Sequence, residues 1–395
     1  MQIRTRIVMF IKYQKKEEQR MMRKWISCIV FVAVLTASIG IVSAASAAEE
    51  REVWMLHEVV DIEDVDAFLE IVSADPVPLA RTIHKRLRIA MIFPSLDLSD
   101  AWFCGWMGME GRLKELGILY ELTTMGGGHA DHALQASHMD LAIAQRYDYV
   151  IIATTELFVQ KAAVQRMIEA GINVIQWNNN TPFKEWGRER YPDGLQPLAW
   201  VGFDHGYGGK MMGEYTLTRL EPGSQVAIMH GIPGITTELR GGIAASIMEA
   251  AGHEIVYEHY ADWDKTKAYE ATKYILTAYP EVAHIHSCST AMTLGIAAAL
   301  REMGMTGQIL VNGWGGGRDE QALMWEGEMN FAVMRMQDDW GVVLAEVIKY
   351  DIEGRLDEVP LSISGTMEII DDTWTKAEVG KLTEYAYRYS GVLEY

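Results

Sequence analysis

A tryptophan and an arginine stand directly after two apolar, strand-like runs in the last quarter of the chain. Residues 309–311 lead into the loop Asn312-Gly313-Trp314-Gly315-Gly316-Gly317, and residues 331–334 lead into Arg335. In open parallel sheets, ligands bind at the carboxyl ends of the strands. An aromatic ring and a guanidinium in that position suit a small polar or anionic ligand. These residues alone leave a second interpretation open, in which Trp314 packs under its loop and Arg335 is paired at the surface.

Other predicted strands also end in polar or aromatic residues. Each has an ordinary structural alternative: Ser99 and Thr290 could cap helices, Asn178 could close a turn, and Arg240 could pair with a nearby carboxylate. In a two-lobed α/β fold, however, these strand ends face one another across a cleft. Two arginines shielded in a cleft would require a compensating anion. The candidate ligand-binding residues from this pattern are Ser99, Trp102, Asn178, Arg240, Thr290, Trp314 and Arg335.

The elements that would position these residues alternate regularly from residue 88 onward. Short apolar runs are separated by amphipathic helical patterns, for example at 102–116, 207–220 and 290–303. Strands that alternate with helices predict parallel sheets covered on both faces. About ten strands exceed a typical single sheet, so the sequence predicts an α/β fold with two doubly wound parallel-sheet lobes joined by a hinge. The predicted strands span residues 89–93, 119–122, 149–153, 173–177, 199–203, 225–229, 254–259, 283–286, 309–311 and 330–334.

A long irregular stretch at 178–197 interrupts this alternation and precedes Asp204, a residue suited to begin a helix. We place the main hinge at this point. The predicted organisation is a signal-peptide region at 1–48, an N-terminal arm at 49–85, an N-terminal lobe at 86–204 with 337–360, and a C-terminal lobe at 205–336 with 361–395.

The first residues have the pattern of an export signal. A basic start at 21–24 is followed by an apolar run at 26–42 and by small residues at 43–48, which is typical of a cleaved secretory signal peptide. The alternative is an uncleaved membrane anchor. Residues 1–48 carry 8 basic and 2 acidic residues, so the rest of the chain has 27 basic and 52 acidic residues and a net charge of −25. Such an acidic protein is a poor candidate for binding nucleic acid, and we expect a periplasmic location.

Several kinds of chemistry have no motif in this sequence. G-x-S-x-G, H-E-x-x-H, C-x-x-C and P-loop patterns are all absent, so we expect neither an enzyme nor a bound cofactor. His129, Asp131 and His132 could resemble a metal loop, but we interpret them as a strand-to-helix turn and expect no metal. Cys104 and Cys288 are expected to be free, partly buried thiols, with a single disulfide as the alternative.

Several longer pieces of sequence carry a family resemblance. The most specific are the Gly-Trp-Gly-Gly-Gly loop and Val333-Met334-Arg335-Met336, accompanied by pieces at 75–79, 99–102, 181–186, 201–205 and 288–290. With these pieces, residues 74–390 resemble the autoinducer-2-binding periplasmic protein family, a branch of the ribose-binding-like (type I) periplasmic binding proteins. The resemblance implies two lobes that close on a small furanosyl borate diester. It also implies a membrane sensor histidine kinase that detects the open or closed state.

The resemblance further implies roles for the candidate residues, with Arg240 and Arg335 neutralising the borate and Trp102 and Trp314 packing on the ring. Ser99, Asn178 and Thr290 would bond its hydroxyls. This chain departs from the family at two positions. Asp97 replaces a glutamine and joins the candidate ligand-binding residues, and Ala291 replaces an aspartate. Because a carboxylate beside an anionic ligand is unfavourable, the alternative function is a periplasmic sugar-binding component of an ABC importer, with a permease as the membrane partner.

Overall fold

Two six-stranded sheets organise the part of the chain that the computed structural model describes, which is residues 53–96, 101–127, 131–186 and 196–391. All ten predicted strands are present, and the predicted α/β fold with two doubly wound lobes is confirmed. The signal-peptide region and the candidates Asp97 and Ser99 lie outside the described residues, so their predicted roles stay predictions. Among the described residues, the structure contains no helix with the length and hydrophobicity of a membrane-spanning segment.

The first sheet contains only parallel strands, in the spatial order β11-β5-β4-β3-β1-β2. Its strands are β1 (Leu87–Phe93), β2 (Tyr120–Gly126), β3 (Tyr149–Ile152), β4 (Asn173–Asn178), β5 (Ala199–Gly202) and β11 (Ser362–Ser364). The second sheet has the order β12-β10-β9-β8-β6-β7, with β12 antiparallel to β10. Its strands are β6 (Gln225–His230), β7 (Glu254–Tyr260), β8 (Val282–Ser287), β9 (Leu310–Gly315), β10 (Phe331–Arg335) and β12 (Met367–Asp371).

Helices cover the sheets. They are α1 (Leu56–Val59), α2 (Ile62–Ser73), α3 (Ala101–Glu115), α4 (His132–Gln145), α5 (Leu157–Glu169), α6 (His205–Leu217), α7 (Ile235–Thr237), α8 (Ile243–Ala250), α9 (Lys265–Ala278), α10 (Thr290–Glu302), α11 (Arg318–Trp325), α12 (Asp339–Ile352) and α13 (Lys376–Ala386).

Helix α9 shows how the sequence determines these elements. The Asp264 carboxylate accepts a hydrogen bond from the Lys267 backbone N–H and so caps the first turn. Ala268, Ala271 and Ile275 are buried, and their spacing of three and four residues places them on one face. That face packs into the core of the second lobe.

Among the described residues, the chain passes between the two sheets three times, and these crossings lie side by side. The first follows β5, the second follows β10, and the third lies between β11 and β12. The Gly365 N–H donates to the Gly202 carbonyl at 2.8 Å, and the Met336 N–H donates to the Thr366 carbonyl at 3.0 Å. Since residues 362–364 pair with β5, we propose that the N-terminal lobe ends after Ser364 rather than at residue 360.

The ends of the described chain are fixed to the first lobe by a buried arginine. The Arg112 Nε–H donates to the Glu346 carboxylate at 2.7 Å, and its two terminal nitrogens donate to the carbonyls of Ile71 and Ala74 at 2.9 and 3.1 Å. Arg112 thus holds the end of α2 and the residues after it. Tyr389, near the end of the described residues, also packs on this lobe, against Gly111.

Candidate functional site

A cavity of about 150 Å³ lies between the lobes, where the carboxyl ends of strands from both sheets meet. A cavity of that volume can hold a molecule the size of a six-membered ring. Six of the predicted site residues line it. They are Trp102, Asn178, Arg240, Thr290, Trp314 and Arg335. The structure therefore brings together every predicted site residue that it describes.

An aromatic cluster forms the wall that the first lobe contributes. The Trp102 ring stacks with Trp340 at 5.8 Å between ring centroids and meets the edge of Trp177 at 5.1 Å. Gly105, one turn further along α3, leaves the space for these rings, because a Cβ there would lie 2.3 Å from Cζ2 of Trp177. Trp102 is thus held rigidly, and the face it offers to the cavity is apolar.

Asn178 ends β4 in a left-handed backbone conformation with φ of 66°, which asparagine tolerates better than most residues. Its carbonyl accepts a hydrogen bond from His205 Nε2 at 3.0 Å. Its side-chain amide makes no hydrogen bond to any residue that the structure describes, although it lines the cavity. The amide is therefore available to bond a ligand hydroxyl.

Arg240 is positioned by a π-helical segment, Glu238–Gly242, between α7 and α8. π-Helical turns are rare and occur frequently at functional sites. One terminal nitrogen of Arg240 donates to the Cys288 carbonyl at 2.9 Å, and its guanidinium lies 4.7 Å from the Trp314 ring centroid. Burial, together with the nearby Arg335 cation, lowers the pKa of Arg240. Since a guanidinium stays protonated in proteins, this shift indicates an unfavourable burial that other contacts must offset.

His205 connects Arg240 to the first lobe. Its Nε2 faces the Asn178 carbonyl at 3.0 Å, and its Nδ1 accepts from Arg240 Nε–H at 3.4 Å. One neutral tautomer, with the proton on Nε2, satisfies both contacts. His205 therefore links one wall of the cavity to the other through a residue at the first crossing.

The loop that carries Trp314 is held by a buried carboxylate. Glu320 accepts hydrogen bonds from the backbone N–H groups of Trp314 at 2.8 Å and Gly316 at 2.6 Å. Burial raises the pKa of Glu320, although these bonds and Arg335 oppose the rise. Gly316 is required here, because it has φ of 65° and a Cβ would lie 2.4 Å from the Met334 Cβ. The backbone of the glycine-rich loop thus lies directly against strand β10.

Thr290 and Arg335 complete the second-lobe wall. The Thr290 hydroxyl donates to the Trp314 carbonyl at 3.0 Å, which leaves its oxygen free to accept a further bond. Ser289, and not Thr290, caps α10, because the Ser289 hydroxyl accepts from the Met292 N–H. The buried Arg335 guanidinium lies 5.3 Å from the Phe203 ring centroid, so it crosses toward the first lobe.

Sequence reasoning missed several cavity residues. Trp263 follows β7, Thr154 and Glu156 follow β3, and Trp340 begins α12. The strand-end pattern that identified Trp314 could have identified Trp263 and Thr154, since each also follows a strand. Trp340 carries no such signal, because it enters the cavity from a helix after the second crossing.

The remaining sequence-based candidates have structural roles. The Asp131 carboxylate caps α4 by accepting from the Leu134 N–H, and His132 contacts the Thr155 hydroxyl at 2.6 Å. His129 lies outside the described residues. Among the residues that the structure does describe, no group of three potential metal ligands occurs. Neither Cys104 nor Cys288 forms a disulfide, as predicted, and both side chains are fully rather than partly buried.

Replacing His205 with glutamine is expected to flatten the pH dependence of stability. Burial and the cations Arg240 and Arg335 lower the pKa of His205 well below 6.5. Below about pH 6.5, His205 binds a proton in the unfolded chain but stays neutral in the folded protein, so the unfolding free energy falls as the pH falls. Glutamine keeps a donor and an acceptor but does not titrate. Between about pH 7 and pH 5.5, the wild type should lose about 1 kcal/mol more unfolding free energy than His205→Gln.

Urea denaturation at both pH values measures this difference. The exposed His84 provides a matched control, because His84→Gln removes a histidine without touching the cavity. If the unfolding free energy changed by the same amount between the two pH values in the wild type and in His205→Gln, the conclusion that His205 is neutral in the folded protein would be contradicted.

Comparisons with known proteins agree with this geometry. Residues 89–356 match the family model described as periplasmic binding protein domain. A D-ribose/D-allose-binding protein of Pseudomonas aeruginosa is 26% identical over 236 residues, covering 58% of this chain and 71% of that protein. The ribose import binding protein of Bacillus subtilis is 23% identical over 262 residues, covering 66% of this chain and 80% of that protein.

A solved structure shares the fold. An ABC transporter solute binding protein from Agrobacterium vitis, with bound α-D-tagatopyranose, superposes with a TM-score of 0.68 at 20% identity. The match covers 75% of this chain and 99% of that one.

Proposed function

Because the chain belongs to the periplasmic binding protein domain family, we propose that it is a periplasmic receptor that binds a small sugar and delivers it to an ABC importer. Members of this family bind solutes and are not enzymes, in agreement with the expectation from the sequence. The relatives whose names specify ribose or allose support a monosaccharide as the ligand.

One observation carries this proposal: the inter-lobe cavity combines aromatic faces with donors that suit hydroxyl oxygens. Trp102 and Trp314 supply the apolar faces, and Asn178, Arg240 and Arg335 supply the donors. A sugar ring has an apolar face and a rim of hydroxyls, so it needs both kinds of contact. In the two-lobed fold, ligand favours the closed state in which both walls reach it.

A second candidate is reception of autoinducer-2 as its furanosyl borate diester, with relay to a membrane sensor histidine kinase. The observation that favours it is the pair of buried arginines. Within the described part of the chain, Arg240 has no carboxylate within 4 Å, and its pKa is lowered partly by Arg335. An anionic ligand would offset this repulsion directly. The sequence resemblance in the Trp314 and Arg335 pieces supports the same candidate.

Isothermal titration calorimetry of the purified chain separates the two functions. The probes are D-ribose, D-allose and D-tagatose in borate-free buffer, and the dihydroxypentanedione precursor of autoinducer-2 with and without borate. We expect binding of at least one sugar without borate. Binding only of the precursor, and only with borate, would replace the sugar proposal by the second candidate. Binding of none of these ligands would contradict both.

A further inference from the structure

Trp263 has a backbone conformation that calls for an explanation. It lies in the turn after β7, where Asp262 and Trp263 have φ values of 55° and 61°. Two consecutive non-glycine residues in the left-handed region are energetically unfavourable. Such strain persists where the surroundings fix it, and it clusters at functional sites. The turn is anchored by the Ala261 N–H, which donates to the His230 carbonyl at 2.9 Å.

Gly231 leaves the space that the Trp263 ring occupies. A Cβ added to Gly231 would lie 2.0 Å from the Cε2 and Cζ2 atoms of Trp263. The benzo edge of the indole therefore rests directly on the backbone at the end of β6. Any side chain at position 231 would displace the ring, although no positive φ requires glycine there.

The Trp263 ring completes a clamp around Arg240. The guanidinium carbon lies 5.4 Å from the Trp263 ring centroid and 4.7 Å from the Trp314 ring centroid. All three residues line the cavity. Contacts of this kind stabilise a cation most strongly when they are shielded from water. The two indoles thus offset the burial of a cation that has no carboxylate within 4 Å among the described residues.

We propose that Trp263 is a specificity-determining residue of the cavity, which allows a site with two buried arginines to bind an uncharged sugar. This inference rests on the proposed sugar-binding function. An anionic ligand would stabilise the Arg240 cation by its own charge and would depend less on the indole. An uncharged sugar supplies no such charge, so its binding depends on the Trp314–Arg240–Trp263 clamp.

Two variants remove the clamp by different routes. Trp263→Leu deletes the indole, and Gly231→Ala keeps the indole but displaces it. Trp325→Leu is the matched control. Trp325 is also half-buried beside a cation, with Lys376 Nζ 5.6 Å from its ring centroid, but Trp325 does not line the cavity. The probe is whichever of D-ribose, D-allose and D-tagatose the wild type binds most tightly, titrated in borate-free buffer and again with borate, which forms anionic esters with sugar diols.

Both variants should weaken binding of the uncharged sugar about tenfold. For each protein, the affinity in borate-free buffer is divided by the affinity in borate-containing buffer. In both variants this ratio should be at least about threefold lower than in the wild type and in Trp325→Leu. A merely structural role for Trp263 would lower both affinities together and leave this ratio unchanged, which would overturn the inference. Binding by the wild type only in the presence of borate would also overturn it. If the wild type binds no sugar in either buffer, the proposed function fails, and the inference fails with it.

Discussion

Replacing Arg240 with methionine is expected to weaken ligand binding about thirtyfold or more, equivalent to about 2 kcal/mol, while leaving stability within about 1 kcal/mol of the wild type. Methionine keeps much of the apolar stem but removes the donors that face the cavity. A buried cation can be exchanged for an apolar side chain with little net loss of stability, since its desolvation is costly. Calorimetry with the tightest-binding sugar and urea denaturation measure the two quantities.

Arg335→Met should also weaken ligand binding, because the Arg335 guanidinium lines the same cavity. Arg301 offers a matched control, since it is an exposed arginine paired with Glu328 far along α10. Arg301→Met should leave binding unchanged. Unchanged binding in Arg240→Met would show that the ligand lies elsewhere. A loss of stability greater than about 3 kcal/mol would show that Arg240 is mainly structural.

Removing the carboxylate of Glu320 is expected to lower the unfolding free energy by about 3–5 kcal/mol, the largest stability effect that we predict. Glu320→Ala would leave the N–H groups of Trp314 and Gly316 buried without an acceptor. It would also leave a cavity behind. Ligand binding should weaken as well, because the loop that presents Trp314 would lose its anchor. Urea denaturation followed by circular dichroism measures the stability change.

Glu320→Gln provides a graded comparison for this prediction. Its single carbonyl oxygen can accept only part of what the carboxylate accepts, so we expect about half the loss seen with alanine. Glu326, six residues further along the chain, is exposed and serves as the control. Glu326→Ala should change the unfolding free energy by less than about 0.5 kcal/mol. An effect of Glu320→Ala as small as that of Glu326→Ala would contradict the role assigned to the carboxylate.

The sequence was sufficient for much of the fold because the relevant signals are local. Buried parallel strands are continuous apolar runs, and their ends coincide with changes in residue type. Trp314 and Arg335 therefore lie at the same end of two neighbouring parallel strands, because strand direction alone determines that placement. Their role in ligand binding stays a prediction. Trp102, Asn178, Arg240 and Thr290 followed from the same argument.

Other features depend on contacts between distant residues and could not be predicted in this way. The clamp around Arg240 depends on Gly231, whose role becomes visible only when Trp263 lies against it. The acceptor role of Glu320 requires the fold of the loop six residues before it. The strands β11 and β12 are short, and they follow the last helix–strand alternation, so their pattern resembled a loop.

The position of β11 also has a consequence for how the protein is made. The first sheet draws five strands from residues 87–202, but its edge beside β5 is occupied only by residues 362–364. A nascent chain therefore presents an open edge at β5 until residues 362–364 have been synthesised, after strands β6 to β10 of the second sheet. The first lobe, although its strands begin first, cannot be completed until the second lobe has emerged.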